Sequence, residues 1–323
     1  MGETRFRTYI TAQGIIMRIS DAVELFLQSI IAEGKSENTK RWYDRRLCRL
    51  GLALDNRELD SISPDDLRKF LAGLHTQSTL FENHPFRKPR KGALSPFTVQ
   101  SYVRAVKRFF SWLVENNYLA PSQNPAAKLK RYAVRRGAPK ELSDADLSAL
   151  VNGAHHSKYP ERDYALILFL ADTGCRVGGL VGVRLEDIDF QNERVLVTEK
   201  GRKTRYAFLS QPTIRAIEEW LKVRKSSTEY VFVNRNGRQF TVSGINQAVE
   251  SVAKAAGVSG RHNPHSFRHR FAKKFLMAGG DLASLSRLMG HGDVVVTASY
   301  YTVFLTDELK RKHDQHSALA GIV

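Results

Sequence analysis

The side chains that could do chemistry together in this sequence are basic residues followed by a tyrosine. They occur in four short stretches of the second half of the chain, in this order: Arg176 in TGCRVGGLVGVRLEDID, Lys200 in TEKGRKTR, His265 and Arg268 in NPHSFRHRFA, and His291 in MGHGD, which is followed by the adjacent Tyr300 and Tyr301. The spacing of His265 and Arg268 places them on one face of a predicted helix. Each stretch is common by itself, so the information lies in the ordered set.

This set of residues suits a metal-free transesterification at a phosphodiester. Two guanidiniums can bind the non-bridging oxygens, which gain negative charge in the transition state. A tyrosine phenol has a pKa near ~10 and needs a nearby base or a positive field to act as a nucleophile. A lysine or histidine can protonate the leaving oxygen. The sequence has no paired carboxylates typical of a two-metal site, no Gly-x-Ser-x-Gly motif and no Gly-rich phosphate loop, so we expect no metal and no cofactor.

The charge of the chain points to a polyanionic partner. Lys and Arg number 50 against 33 Asp and Glu, which gives a formal net charge of +17. Such an excess favours nucleic acid, because each neutralised phosphate releases counterions. A generally basic protein and a membrane surface remain the alternatives on charge alone. Only two cysteines occur and no apolar run is long enough to span a membrane, which together predict a cytoplasmic protein.

The elements that must position these residues divide into a helical first part and a mixed second part. Residues 19–122 are predicted to be helical, with Ser20, Ser36 and Ser63 as helix caps. In the second part, YPERDYALILFLADTG predicts a buried helix, RVLVTEK and TRYAFLS predict a β-hairpin, and EYVFVN predicts another strand. Helices are expected again from about residue 243.

Two basic stretches are candidates for DNA contact. One is the Pro/Gly-punctuated loop NHPFRKPRKGALSP, and the other is the predicted linker NPAAKLKRYAVRRGAPKELS, which ends where Ser143 opens the next helix. A solvated surface loop is the alternative for the first. The candidate DNA-binding residues are Arg87, Lys88, Arg90, Lys91, Lys128, Lys130, Arg131, Arg135 and Arg136.

The ordered set of motifs resembles the tyrosine recombinase, or phage integrase, family. ADTGCRVGGLVGVRLEDID is similar to the family's first arginine motif, and TEKGRKTRYAFLS to its lysine hairpin. PHSFRHRFA and LMGH, the latter followed by a Tyr-Thr pair, match its last two motifs. The resemblance covers roughly residues 140–316, and the short N-terminal region favours an Xer-like or transposon-type member.

The resemblance implies a fold and a domain order. The implied protein is a multidomain α and α/β chain, with an all-helical SAM-like core-binding domain and a mainly helical catalytic domain that has a small antiparallel sheet, together forming a C-shaped clamp on DNA. The predicted segments are an N-terminal extension (1–18), the core-binding domain (19–122), a basic linker (123–142), the catalytic domain (143–305) and a tail helix that docks on a neighbouring protomer (306–323).

The resemblance also implies roles for the candidate residues. Arg176 and Arg268 would bind the scissile phosphate, and Lys200 would protonate the leaving 5′ oxygen. His265 would assist proton transfer at the nucleophile, and His291 would hydrogen-bond the phosphate. The sequence departs from the family at Gly179, three residues after the first arginine, where the family usually has an acid.

The nucleophile is predicted to be Tyr301. Adjacent helical residues point about 100° apart, so only one of the two tyrosines can face the phosphate. The family places its tyrosine nine or ten residues after the Gly-His histidine, which allows either Tyr300 or Tyr301. The sequence YTVFLTDELKRKHDQH, which starts at Tyr301, is similar to the tail of Xer proteins and favours the longer spacing.

The resemblance implies a site-specific recombinase that works through a covalent 3′-phosphotyrosyl intermediate and a Holliday junction. Its implied partners are a double-stranded DNA recombination site and further copies of itself, a dimer on one site and a tetramer in synapsis, with room for a partner recombinase or accessory protein, in a bacterial or archaeal cytoplasm. Two alternatives stay open: a type IB topoisomerase-like strand transferase, and a DNA-binding regulator that has lost catalysis.

Overall fold

The computed structural model describes residues 9–11, 14–80, 88–130, 134, 142–199, 203–290, 310 and 313. The chain divides into two units, Met1–Arg135 and Arg136–Val323, which are described separately. Among the helices in these ranges, none has the length and apolarity needed to cross a membrane.

In the residues that the structure describes, the first unit has four α-helices around one apolar core. The helices are α1 (Ile19–Ala32), α2 (Glu37–Ala53), α3 (Pro64–Thr76) and α4 (Pro96–Glu115). The apolar face predicted for α4 is buried along its whole length, from Val99 to Leu113, and its ring at Phe109 packs edge-on against Phe26 of α1. Two short antiparallel pairs complete the unit: β1 (Tyr9–Thr11) with β2 (Gly14–Ile16), and β3 (Thr79–Leu80) with β4 (Arg90–Lys91).

Serine caps begin three of these helices. The hydroxyl of Ser36 accepts a hydrogen bond from the amide of Thr39, and the hydroxyl of Ser95 accepts one from Thr98. Ser63 forms a reciprocal capping box with Asp66, as its sequence pattern predicts. These contacts satisfy amides that have no partner within the helix.

The predicted cap at Ser20 is wrong. Helix α1 begins one residue earlier, at Ile19, and the cap position is Arg18, in extended conformation. The amide of Ser20 donates instead to Oδ1 of Asn56, at 2.8 Å. The physical reason is tertiary, because a side chain from the turn after α2 replaces the local serine cap.

The basic loop is partly ordered by strand pairing. Strand β4 lies within the stretch NHPFRKPRKGALSP and pairs with β3, which precedes that stretch, with Thr79 opposite Lys91 and Leu80 opposite Arg90. The sequence predicted an irregular loop here, so this pairing is a difference from the expectation. Arg90 and Lys91 are exposed on β4.

The second unit packs seven helices against a three-stranded antiparallel sheet within the described residues. The helices are α5 (Asp144–His155), α6 (Pro160–Thr173), α7 (Val177–Val181), α8 (Gln211–Val223), α9 (Val242–Ala255), α10 (Pro264–Met277) and α11 (Leu282–Met289). The strands are β5 (Ile188–Asp189), β6 (Arg194–Glu199) and β7 (Lys203–Phe208), in the order β5-β6-β7.

The predicted hairpin and buried helix are both present. Strands β6 and β7 pair in antiparallel register from Arg194 with Phe208 to Glu199 with Lys203. Helix α6 is buried along most of its length, which explains why its sequence shows no strong polar face. The helix predicted to open at Ser143 also forms, and the Ser143 hydroxyl accepts from the amide of Asp146.

The strand predicted for EYVFVN does not form. Only isolated bridges occur there, at Tyr230 and Val233. Side chains take the carbonyls that a strand ladder would use: Arg224 Nε donates to the Tyr230 carbonyl at 3.1 Å, and Trp220 Nε1 donates to that of Val231 at 2.9 Å. The segment is therefore a buried irregular connection.

Candidate active site

Three of the predicted catalytic residues, Arg176, His265 and Arg268, lie together in the second unit, close to a buried carboxylate that the sequence analysis did not identify. The carboxylate belongs to Glu199, the last residue of β6, whose side chain is only 3% exposed. It pairs closely with Nη1 of Arg176, and its Oε1 lies 3.6 Å from Nη1 of Arg268. Nη2 of Arg205 on β7 is 3.4 Å from the same oxygen.

Arg176 is placed by the end of α6. The helix stops at Gly174, whose φ of +52° lies in the left-handed region that favours glycine. A Cβ at this position would also approach the Phe271 ring to 2.7 Å, so the turn is packed tightly as well. Two residues later Arg176 begins α7, and its side chain is about one-third exposed at 35%. It can therefore face both Glu199 and a ligand from solvent.

The C-terminal ends of two helices hold the guanidinium of Arg268 in place. Its side chain is buried, and Nη1 donates to the carbonyl of Gly174 at 2.8 Å while Nη2 donates to that of Met289 at 2.6 Å. These carbonyls lie at the C-terminal ends of α6 and α11, where the helix dipole favours a positive charge. The guanidinium therefore has a fixed position and orientation.

His265 lies in the first turn of α10, at the surface, and faces both arginines. Partial desolvation lowers the pKa of its imidazole below the ordinary value of 6.5, and the guanidiniums of Arg268 and Arg176 lower it further. An imidazole with a lowered pKa is neutral at neutral pH and can accept a proton. This state suits assistance to a tyrosine that must lose its proton.

Helix α10, which carries His265 and Arg268, is tied to the start of the unit. Asp144, the first residue of α5, lies 2.7 Å from Nη2 of Arg270 and 2.6 Å from Nζ of Lys274. The hydrogen bond from Lys274 has the largest effect on the pKa of the Asp144 carboxyl, followed by that from Arg270, and both lower this pKa below its usual value. The helix also begins at a regular cap, because Oδ1 of Asn263 accepts from the amide of Ser266.

Gly179 lies directly on strand β6. A Cβ there would come within 2.6 Å of Cγ1 of Val197 and within 3.7 Å of Cγ of Glu199. The short helix α7 can approach the strand this closely only because position 179 has no side chain. The space that an acidic side chain at position 179 would need is thus occupied by β6.

Several predicted site residues lie outside the described residues. These are the catalytic candidates Lys200, His291, Tyr300 and Tyr301, and the DNA-binding candidates Arg87, Arg131, Arg135 and Arg136. The other DNA-binding candidates are in the first unit, and all are exposed: Lys88, Arg90, Lys91, Lys128 and Lys130.

The sequence contained a signal for Glu199 that the analysis missed. In β6 the residues that alternate inward are Val195, Val197 and Glu199, so a carboxylate continues a row of buried valines. A charge at an inward position requires a charged partner, which here includes Arg205 on the paired strand β7. Within the described ranges, no cluster of three or more His, Cys, Asp or Glu residues could bind a metal ion.

Paired guanidiniums and an imidazole on a mainly helical domain with a small antiparallel sheet are features of a strand-transfer enzyme that acts on phosphodiesters. Residues 140–306 match the sequence model of the Phage integrase family, and residues 23–80 match that of the Phage integrase N-terminal SAM-like domain. The chain belongs to the phage integrase family, as its motifs indicated, and it is a tyrosine-type site-specific recombinase.

Relatives and solved structures agree with this assignment. The chain is 29% identical to tyrosine recombinase XerC of Alcanivorax borkumensis, over 86% of this chain and 88% of that protein. It is 30% identical to tyrosine recombinase XerD of Vibrio vulnificus, over 91% and 94%. It shares its fold with the Tn1549 transposon integrase in complex with transposon right end DNA, at 20% identity and a TM-score of 0.71, over 91% of this chain and 99% of that one. It also shares its fold with a lambda integrase dimer bound to a COC′ core site, at 13% identity and a TM-score of 0.67, over 87% of this chain and 97% of that one. The predicted fold class is confirmed for each unit by itself: a helical SAM-like domain, and a mainly helical domain with a small antiparallel sheet.

Proposed function

We propose that this protein cuts and rejoins DNA at a specific site through a covalent 3′-phosphotyrosyl intermediate and a Holliday junction. The single observation that carries the proposal is the convergence of Arg176 and Arg268 on Glu199, with His265 facing both guanidiniums. Two fixed guanidiniums can bind the two non-bridging oxygens of a phosphodiester and stabilise the charge that they gain during the reaction.

The proposed reaction is an in-line displacement at the scissile phosphorus. Tyr301 forms the new ester bond to the 3′ phosphate, and the bond to the 5′ oxygen breaks. His265, which is neutral at neutral pH because of its lowered pKa, assists removal of the phenolic proton. Lys200 protonates the leaving 5′ oxygen, and His291 hydrogen-bonds the phosphate. Attack by a 5′ hydroxyl of another strand reverses these steps and releases the tyrosine, so the energy of the phosphodiester is conserved.

The proposed partner is a double-stranded DNA recombination site. The exposed basic residues of the first unit, including Lys88 and Lys128, are proposed phosphate contacts, together with the linker arginines. The solved relatives that share this fold include an integrase bound to transposon end DNA and an integrase dimer bound to a core site, which supports both DNA and self-association. We propose that two copies occupy one site and four form the synapse, in the cytoplasm of a bacterium or archaeon.

The domain limits are proposed to follow the predicted order: 19–122 for the core-binding domain, 123–142 for the linker, 143–305 for the catalytic domain and 306–323 for the tail. The family matches at residues 23–80 and 140–306 support the first and third of these segments. The boundary between the two units, after Arg135, falls inside the proposed linker.

The test is to trap the covalent intermediate. Wild type, Tyr300→Phe and Tyr301→Phe are incubated with nicked DNA that carries the site, first identified by binding among the sequences that flank the gene. Cleavage next to the nick releases a short product, so the adduct accumulates and is read on a denaturing gel. We expect an adduct with wild type and Tyr300→Phe, and none with Tyr301→Phe.

The other outcomes separate the alternatives. Loss of the adduct only in Tyr300→Phe would keep the chemistry and move the nucleophile by one residue. Relaxation of supercoiled DNA without dependence on the site would favour the topoisomerase-like reaction. Absence of an adduct on DNA that the wild-type protein binds would favour a regulator without catalysis.

A further inference from the structure

Glu199 is a buried acid at the centre of the site, and the proposed reaction does not use it. Its side chain is 3% exposed, and three guanidiniums, those of Arg176, Arg205 and Arg268, contact its two carboxylate oxygens. One negative charge thus faces three positive charges in a poorly solvated environment, where electrostatic interactions are strong. Without it, the guanidiniums would repel one another and separate.

The contacts divide between the two oxygens of Glu199 in a way that links separate parts of the site. Oε2 contacts Arg176, which begins α7, whereas Oε1 contacts Arg205 on the paired strand β7 and Arg268 on α10. Arg205 is itself buried and lies on β7, so it contacts the carboxylate from the sheet. The carboxylate therefore connects the two arginines that are proposed to bind the phosphate.

The position of α7 explains why the acid comes from the strand. The resemblance to the family implies an acid at position 179, but a Cβ there would lie 2.6 Å from Cγ1 of Val197. Any side chain at 179 would therefore push α7 away from β6. The carboxylate of Glu199 instead enters the same region from the strand, and a Cβ at position 179 would be only in ordinary van der Waals contact with its Cγ, at 3.7 Å.

We propose that Glu199 is a positioning residue for the recombination reaction: its carboxylate fixes Arg176 and Arg268 at the separation that binds the scissile phosphate, and so replaces the acid that is absent at position 179. This inference rests on the proposed function, because it concerns the arginines assigned there. It predicts that Glu199 supplies the charge that holds Arg176, while Gly179 allows α7, which begins after Arg176, to lie directly on β6.

The experiment compares Glu199→Gln, Glu199→Asp and the control Glu218→Gln. Glu218 is an exposed residue of α8, and its substitution changes the net charge by the same amount. The rate of adduct formation on the nicked DNA is measured in a single turnover at saturating protein. We expect Glu199→Gln to be slower by about 100-fold, the order of loss for a misplacement of about 1 Å, with affinity for intact DNA changed no more than in the control. Glu199→Asp keeps the charge and should recover at least part of the rate.

A second substrate distinguishes positioning from a merely structural role. In DNA with a methylphosphonate at the scissile position, a neutral methyl group replaces one non-bridging oxygen, so there is less charge for the arginines to bind. If Glu199 positions them, the loss caused by Glu199→Gln should shrink from about 100-fold to less than about 10-fold on this substrate. If Glu199→Gln only reduced the fraction of folded enzyme, its rates on the two substrates would fall by the same factor.

Equal losses on the two substrates, or a wild-type rate for Glu199→Gln, would overturn the positioning role while the wild-type adduct still supports the proposed function. Absence of an adduct with wild type would overturn both. If thermal melting shows that Glu199→Gln does not fold, Glu199→Asp is measured on the two substrates, and the same comparison of losses decides.

Discussion

At the scale of the residue, the candidate site shows how neighbouring charges set each other's state. His265 reaches the surface, yet partial desolvation and the guanidiniums of Arg268 and Arg176 all lower the pKa of its imidazole. Glu199 offsets part of the positive charge of the two guanidiniums. The arrangement keeps two arginines charged while the imidazole next to them is neutral, which is the combination that a phenol nucleophile requires.

The first prediction at this scale concerns the titration of His265. Its imidazole should titrate below pH 6.5, measured by NMR on histidine-labelled protein with His265→Gln for assignment. Arg176→Gln removes a neighbouring positive charge and should raise the midpoint towards 6.5. The control Arg184→Gln, an exposed arginine paired with Glu229, should leave it unchanged. A wild-type midpoint at or above 6.5 would contradict the neutral state.

The sign of the linked effect on stability follows from the same shift. Between the lowered pKa of His265 and 6.5, the unfolded chain binds more protons than the folded protein. The free energy of unfolding should therefore fall as the pH falls through this window. His265→Gln removes this contribution, and the difference between the two proteins can be read from denaturant unfolding at pH 7 and at pH 5.5.

At the scale of the element, the close approach of α7 to β6 is what brings Arg176 to Glu199. A helix of five residues has little stability of its own, so its position depends on packing. Gly179 provides that packing against Val197, and Gly174 sets the direction in which the chain enters α7. Gly174 and Gly179, which are two and three residues from Arg176, therefore determine where the Arg176 side chain is held.

Gly179→Ala tests this packing. The added methyl group must displace Val197, and we expect the free energy of unfolding to fall by about 1–3 kcal/mol, as in other overpacked contacts. The matched control is Gly178→Ala on the same helix, because a Cβ there meets no atom within 4 Å. Urea unfolding of the two variants should separate them, and adduct formation should slow only in Gly179→Ala. Equal urea midpoints for Gly179→Ala and Gly178→Ala would show that α7 can move away from β6 with no loss of stability.

At the scale of the whole molecule, the net charge of +17 favours binding to a polyanion such as DNA. Exposed basic residues occur on both units, so a general excess and a specific contact must be told apart. Lys88, Arg90 and Lys91 offer a test, because all three are exposed and the last two lie on β4, which is paired with β3.

Replacing Lys88, Arg90 and Lys91 by glutamine should weaken DNA binding and flatten its dependence on salt. If each contacts a phosphate, the slope of log K against log salt should decrease in magnitude by up to about 2.7, or 0.9 for each contact. Fluorescence anisotropy over a range of NaCl concentrations gives this slope. The control replaces the exposed Lys222, Lys225 and Lys254 of the second unit, which removes the same charge. The same change in both triple variants would mean that total charge alone matters.

Local signals predicted most of the elements, for reasons that the structure makes plain. The caps at Ser36, Ser63 and Ser143 form because each contact lies within three residues in the sequence. The hairpin of β6 and β7 follows from the alternation of apolar and polar residues along RVLVTEK and TRYAFLS. The predictions failed where a side chain from outside the predicted element satisfied the backbone. Asn56, 36 residues away, does so for the amide of Ser20, and Arg224, six residues away, does so for the carbonyl of Tyr230.

By itself, the sequence determined which chemistry is possible, because the order and types of Arg176, His265, Arg268 and the tyrosine pair are local features that can be read along the chain. Only the tertiary structure decided how the arginines are held. Arg268 donates to carbonyls 94 and 21 positions away, and the acid that joins it to Arg176 comes from the end of a strand. No periodicity encodes contacts of this length, since they arise when helices and sheet pack and a buried charge must find its partners.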